Sequence, residues 1–347
     1  MHQPSCRPGW NCILKVGTPF PFVNSLIAAS LLISIGMAHA QNLLFTDHPL
    51  AGKIWDMNSH DYIDEAAVLA RMNQADIILL GETHDNPRHH ELQQTLLNAR
   101  IDSGARPAVL MEQFDADRQQ DIDQALTGTD RSNKLKTLTG LISFSNPKPY
   151  LPILVTAVDN KLPVIAANIS NRGLLPVIRE DFSAFDATAL KRLAVEEVWD
   201  HRRQNFMLSN MGGAHCGKLR DELRAGLVRS QRLRDAMMAD AAMNGLRQGV
   251  VAIVGSGHAR RDVGMPLYIS ARDPSARILS IAFVEVVPGK NSPDTYETDS
   301  ASDVPPFDLI WFTPRVARKD PCADMEKGAP PTAPPPASTG KDNASDK

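Results

Sequence analysis

The sequence predicts an α/β fold, a three-layer sandwich with a central, mostly parallel sheet and helices on both faces. Three observations predict it. Short apolar runs alternate with longer segments of helical pattern. The runs are apolar at every position, as strands buried on both faces must be. Each run also gives way to acidic, amide or imidazole residues.

The chain's ends stand apart from this pattern. Arg7 and Lys15 precede the apolar run "FVNSLIAASLLISIGMAHA", which closes in Ala38-His39-Ala40. A basic region, a run short for a span and an A-x-A site describe a signal peptide over 1–40, cleaved near Ala40. No cysteine stands at the cleavage point, so a lipid anchor is not supported. The expected location is the periplasm or the exterior. From Asp320 the chain is rich in Pro, Ala, Ser and charge. Such composition cannot offset the entropy of ordering, and 320–347 reads as a disordered tail. A single α/β domain over 41–319 lies between.

That mature chain of 307 residues carries 35 basic against 40 acidic residues, a net charge of −5. No basic patch dominates, which argues against nucleic acid as a partner. Only Cys216 and Cys322 remain; export permits a disulfide, but two cysteines make no disulfide scaffold. No CxxCH, HExxH, GxSxG or GxxxxGK[ST] occurs.

The buried runs are Ile77–Leu80, Ala108–Met111, Val164–Ala167, Val250–Val254 and Ile278–Val284. After the first, Asn86 can cap a helix, Pro87 suits its first position, and Leu92, Leu96 and Ala99 share a face. A polar loop from Pro288 precedes a last strand in "FDLIWF".

The strand ends converge on one expectation. The first run ends in Gly81-Glu82-Thr83-His84, the second in Glu112-Gln113-Phe114-Asp115, the third in Asn168 and the fourth in Gly255-Ser256-Gly257-His258. Ligands of open α/β sheets bind outside the carboxyl ends of the strands. One polar strand end means little, since it can cap the following helix. Four such ends describe one site, and the repeated Gly-x-x-His device places His84 and His258 in one cleft, within roughly 10 Å if their strands are neighbours. A glycine there permits a sharp turn or a close approach.

Other candidates are weaker. His89 and His90 fall in the first turn of the following helix, where packed histidines are as common as ligands. Gln231, Arg234, Asp235 and Met238 share a helix face. The plain reading is a solvated stripe or an internal Arg–Asp pair. The functional one offers Arg234 to a carboxylate or phosphate. In "GGAHCG", His215 and Cys216 offer a His-Cys pair that a soft metal could use.

The segments "LLGETHDNPRHHELQ", "AVLMEQFDADRQQDIDQAL", "PVIAANISNR", "HCGKLRDEL…SQRLRDAMMA" and "VVAIVGSGHARRDVGMPLYI" resemble the ChaN family of haem-binding, iron-uptake proteins, grouped with Tiki and erythromycin-esterase-like proteins. The resemblance runs from about Lys53 to Val286. It implies a three-layer α/β fold and a site built on the two Gly-x-x-His motifs. Glu82, His84, Glu112 and His258 would be its core, with His89, Asn168, Arg234 and Asp235 as neighbours. It also implies two chemistries: haem binding in ChaN members, and metal-dependent proteolysis or ester hydrolysis in the relatives.

Haem needs an axial ligand, an apolar slot and cations for its propionates. The ligand-binding candidates are His84, His89, His90, Tyr150, Asn168, Arg234, Asp235 and His258, with Tyr150 in a segment expected to overhang the site. Aromatic residues make up only 5% of the chain, poor for a haem cavity within one subunit. A homodimer around haem would ease the shortage; an outer-membrane receptor, if there is one, is not identifiable. The alternative, a hydrolase, needs acids and imidazoles converging on a water or divalent metal ion, and Glu82, His84, Glu112 and His258 meet that list as catalytic or metal-binding residues.

Overall fold

Each of the five apolar runs forms a strand. In the computed structural model, which describes residues 43–214, 216–296, 300–320 and 322, the strands are β1 (Leu43–Leu44), β2 (Ile54–Asp56), β3 (Asp61–Ile63), β4 (Ile77–Glu82), β5 (Ala108–Asp115), β6 (Val164–Asn168), β7 (Val250–Gly255), β8 (Ile278–Glu285), β9 (Leu309–Thr313) and β10 (Arg315–Val316). The expected leader over 1–40 and nearly all of the expected tail from 320 lie outside the described residues.

The main sheet has the order β3-β2-β9-β8-β4-β7-β5-β6. From β9 to β6 every neighbouring pair is parallel. An antiparallel hairpin of β2 and β3 closes one edge, with β2 antiparallel to β9. Strands β1 and β10 pair separately. The hairpin was not legible in the sequence because three-residue strands are too short to show a period.

Burial explains the layers. Every residue of β4 is buried. Ile77 and Leu79 join one apolar core, while Ile78 and Leu80 join a second. Strands β5 and β7 divide the same way, Leu110, Ala252 and Val254 to the first core, Val109, Met111, Val251 and Ile253 to the second. Leu233, Ala236 and Ala239 of the Asp221–Asn244 helix belong to the first core. Leu92, Leu96 and Leu97 of the Pro87–Asp102 helix belong to the second. Alternating strand side chains thus feed helices on both faces. Burying one such Leu or Ile stabilises by roughly 1.5–3 kcal/mol.

The Pro87–Asp102 helix begins as its sequence predicts: the Asn86 side chain accepts from Arg88 N at 2.9 Å and Pro87 takes the first position. The polar segment after Pro288 is better packed than its composition suggests. Tyr296 is buried, lies edge-on to Phe312 at 5.0 Å between ring centroids, and its hydroxyl accepts from Val287 N at 2.6 Å.

Beyond β9 the chain is tied down twice. Arg318 pairs with Asp85 and with Glu285, and Cys322 is bonded to Cys216. The disulfide leaves Cys216 unavailable to a metal, and His215 lies outside the described residues. Among the described residues no helix is long and apolar enough to cross a membrane.

Candidate functional site

Parallel pairing of β4, β7, β5 and β6 brings their carboxyl ends to one edge. The two Gly-x-x-His motifs interlock there. A Cβ on Gly81 would lie 2.9 Å from Ala259 Cβ and 3.0 Å from Ser256 Cα, so its absence admits the turn that carries His258. A Cβ on Gly255 would lie 3.1 Å from two atoms of the His84 ring, so its absence admits that imidazole. Neither glycine has positive φ. Close approach, rather than a sharp turn, is their purpose.

Glu82 is buried at the end of β4. Its Oε1 accepts from the Tyr150 hydroxyl at 2.6 Å, from His84 Nδ1 at 2.8 Å and from Gln113 Nε2 at 3.4 Å. Its Oε2 lies 3.1 Å from His90 Nδ1 without the alignment of a hydrogen bond. Burial pushes the carboxyl up, but the His84 hydrogen bond and the charges of His84 and His90 overcome it and hold Glu82 at about 2.

Glu112 is the counterpart on β5. Its Oε2 accepts from Gly255 N at 2.6 Å; its Oε1 lies 3.3 Å from His258 Nε2 and 3.9 Å from His84 Nε2. The two Nε2 atoms therefore lie within the sum of those distances, about 7 Å. Burial raises Glu112, and the charge and hydrogen bond of His258 bring it down to about 2. His258 Nδ1 lies 2.6 Å from Asp235 Oδ1. Burial lowers His258, yet the charges of Glu112 and Asp235 lift it to about 10. Asp235 is itself raised, by burial.

Asp235, His258, Glu112, His84, Glu82 and His90 thus form a row of alternating acids and imidazoles across the sheet edge. Five are buried; the His84 side chain is 45% exposed. With Nδ1 donating to Glu82, Nε2 of His84 makes no hydrogen bond among the described residues, its nearest carboxylate oxygen lying at 3.9 Å. Burial lowers the His84 pKa, but the bond to Glu82 and the charges of Glu112 and Glu82 raise it overall. Phe144 stands edge-on to this ring at 5.0 Å between centroids.

Three of the ligand candidates are buried and held by hydrogen bonds or close polar contacts within the protein. His89 is fully buried, its Nδ1 accepts from Thr83 N at 2.8 Å, and its Nε2 is 2.8 Å from Thr313 Oγ1. Burial lowers it to about 4, so it is neutral at pH 7. His90 places Nε2 on His84 O at 3.0 Å and Nδ1 beside Glu82. Tyr150 is 1% exposed, with its hydroxyl spent on Glu82 and its pKa raised by burial. Its ring packs edge-on against His90 and Phe144, so it holds Glu82 from a buried position. Asn168, at the end of β6, accepts from Arg234 Nε at 2.8 Å. Thr313 and Phe144 went unrecognised because a hydroxyl and a lone aromatic carry no spacing signal.

The acids and imidazoles converge as hydrogen-bonded pairs rather than on one point. Among the described residues no group of three or more His, Cys, Asp or Glu side chains has the arrangement of a metal site. Three concavities of about 240–280 Å³ lie elsewhere, and none is lined by a residue of the row.

A family model for haem-binding uptake proteins, ChaN, of the Tiki superfamily, matches residues 68–269, a stretch that holds every residue of the row. The chain belongs to this ChaN family. A structure described as cofacial heme binding to ChaN of Campylobacter jejuni is similar at a TM-score of 0.59 and 20% identity, over 74% of this chain and 95% of that one. That likeness shows a shared fold. A mutant of the erythromycin esterase EreC in its open conformation aligns over 74% of this chain and 94% of its own at 11% identity, with a TM-score of 0.42 too low to carry an argument. No curated protein matches.

Proposed function

We propose that this ChaN family member is exported and binds haem, with a role in haem or iron uptake. The observation that carries the reading is His84: a half-exposed imidazole, steadied through Nδ1 by buried Glu82, with Nε2 in no hydrogen bond among the described residues. An axial iron ligand is held in this way, the second nitrogen bonded to a carboxylate that fixes the ring. Phe144 offers an apolar ring beside it. Haem would bring the iron chemistry; the chain's residues bind and orient it. Export is supported by the leader-like sequence before Gln41 and by the Cys216–Cys322 bond, which persists in oxidising compartments. A second copy would supply the cover that the open face around His84 lacks. Titration of residues 41–347 with hemin, followed at the Soret band and by light scattering, is the test. A saturable shift at micromolar protein is expected, with pairing of subunits as haem is added. A folded protein that gives no shift would end the reading.

One observation favours a second reading, hydrolysis. His258 is held between two buried carboxylates beside exposed His84, an arrangement able to hold and move protons. Turnover of ester or peptide substrates, with and without divalent ions, would favour it if abolished by His84→Ala and His258→Gln together.

A further inference from the structure

Arg234 is a cation at this edge that forms no ion pair among the described residues. Its Nε donates to Asn168 Oδ1 at 2.8 Å, and its Nη2 reaches Asn171 Oδ1 at 3.5 Å, both neutral amides. Among the described residues no acid lies within ion-pair distance of it. The nearby acids are placed otherwise. Asp235, the next residue, is committed to His258. Asp115 is close enough for attraction but makes no ion pair, and burial raises its pKa. Arg232, two residues back, differs: it is buried, bonded to Val195 O at 2.8 Å and stacked on Phe182 and Trp199. Arg234 is only half-buried. A guanidinium has five N–H donors in a planar fork. Neutral amides orient this one without spending its charge, which leaves it free for an anion from outside.

Its position says which part of a ligand it would meet. In the order β4-β7-β5-β6, Asn168 stands three strands from His84. At about 4.8 Å per strand, that is about 14 Å along the edge. Asp235 and Arg234 are successive residues of one helix, so the helix that steadies His258 also carries the free cation. A flat ligand with its centre at His84 and acidic groups on one rim would lie along this edge with those groups toward Arg234.

We propose that Arg234, oriented by Asn168, is the anion-recognising residue of the site and takes a propionate carboxylate of the bound haem. The proposal rests on the haem reading. Its test compares hemin with hemin dimethyl ester, in one detergent, on the 41–347 protein. The unmodified protein should bind hemin at least tenfold tighter than the ester. Arg234→Gln should bind both alike, near the ester's affinity, with the Soret maximum unmoved because the iron ligand is unchanged. Arg234→Lys should recover part of the preference. Asn168→Asp, which supplies the missing carboxylate from within, should lose it, with circular dichroism confirming the fold. Equal binding of hemin and ester by the unmodified protein, or a full preference kept by Arg234→Gln, overturns the assignment and leaves haem binding standing. Failure to bind either compound overturns both.

Discussion

His84 and His258 stand 174 positions apart in the chain, yet both turn Nε2 toward the same oxygen, Glu112 Oε1. Glu112 is therefore the joint of the site. Glu112→Gln keeps the shape and the acceptor for Gly255 N but removes the charge between the imidazoles. Loss of one partner of a buried pair leaves the other uncompensated, and about 3 kcal/mol of stability should go. Urea unfolding at pH 7 measures it; a loss under about 1 kcal/mol would mean that the pair is dispensable.

His258 should impose an alkaline limit. Its folded pKa of about 10 lies above its ordinary 6.5. The stabilisation from Glu112 and Asp235 is therefore complete below pH 6.5 and is lost as pH rises through about 10. Stability compared between the unmodified protein and His258→Gln should show a gap that is widest near pH 6 and closes toward pH 10. A gap that is constant with pH would contradict the placement of the charge.

Ligand and framework should separate by substitution. His84→Ala is expected to abolish the Soret shift while the protein stays folded. Tyr150→Phe should keep the shift but cost about 1.5–3 kcal/mol of stability, because one hydrogen bond to buried Glu82 is lost. If Tyr150→Phe removes haem binding without altering stability, the two roles are reversed.

Gly255 gives a test that alters no polar group. Its φ of −61° suits alanine, so the backbone should accept Gly255→Ala within about 1 kcal/mol. The added Cβ, 3.1 Å from the His84 ring, must push that half-exposed ring outward. Haem affinity should fall about tenfold, equivalent to about 1.4 kcal/mol. Unchanged affinity would show that the ring's position is not set by this contact.

How far the residues could be read in advance follows from what each signal depends on. Runs such as Val250–Val254 are apolar at every position because both faces of the sheet are covered, and that needs no knowledge of partners. The meeting of Glu82, His84, Glu112 and His258 follows from strand direction alone. The roles of His89 and Tyr150 could not be read, because Thr83 N, Thr313 and Glu82 decide which way their polar atoms face. The glycines were visible, but the reason for them was not. Each is small for the benefit of the other motif, and that is a fact about contact across the sheet.

The bond between Cys216 and Cys322 closes part of the chain into a covalent circle. Gln231, Arg234, Asp235 and His258 lie inside it; Glu82, His84, Glu112 and Asn168 lie outside. The circle spans a sequence separation of 106 residues, and closure on that scale stabilises by about 4–5 kcal/mol in the chain-entropy view. The seam between the circle and the remainder of the chain passes through the site, along the contacts of Glu112 with His258 and of Asn168 with Arg234. A reductant that opens the circle would therefore lower the stability of the fold as a whole by about that amount, and both banks of the seam would lose it together.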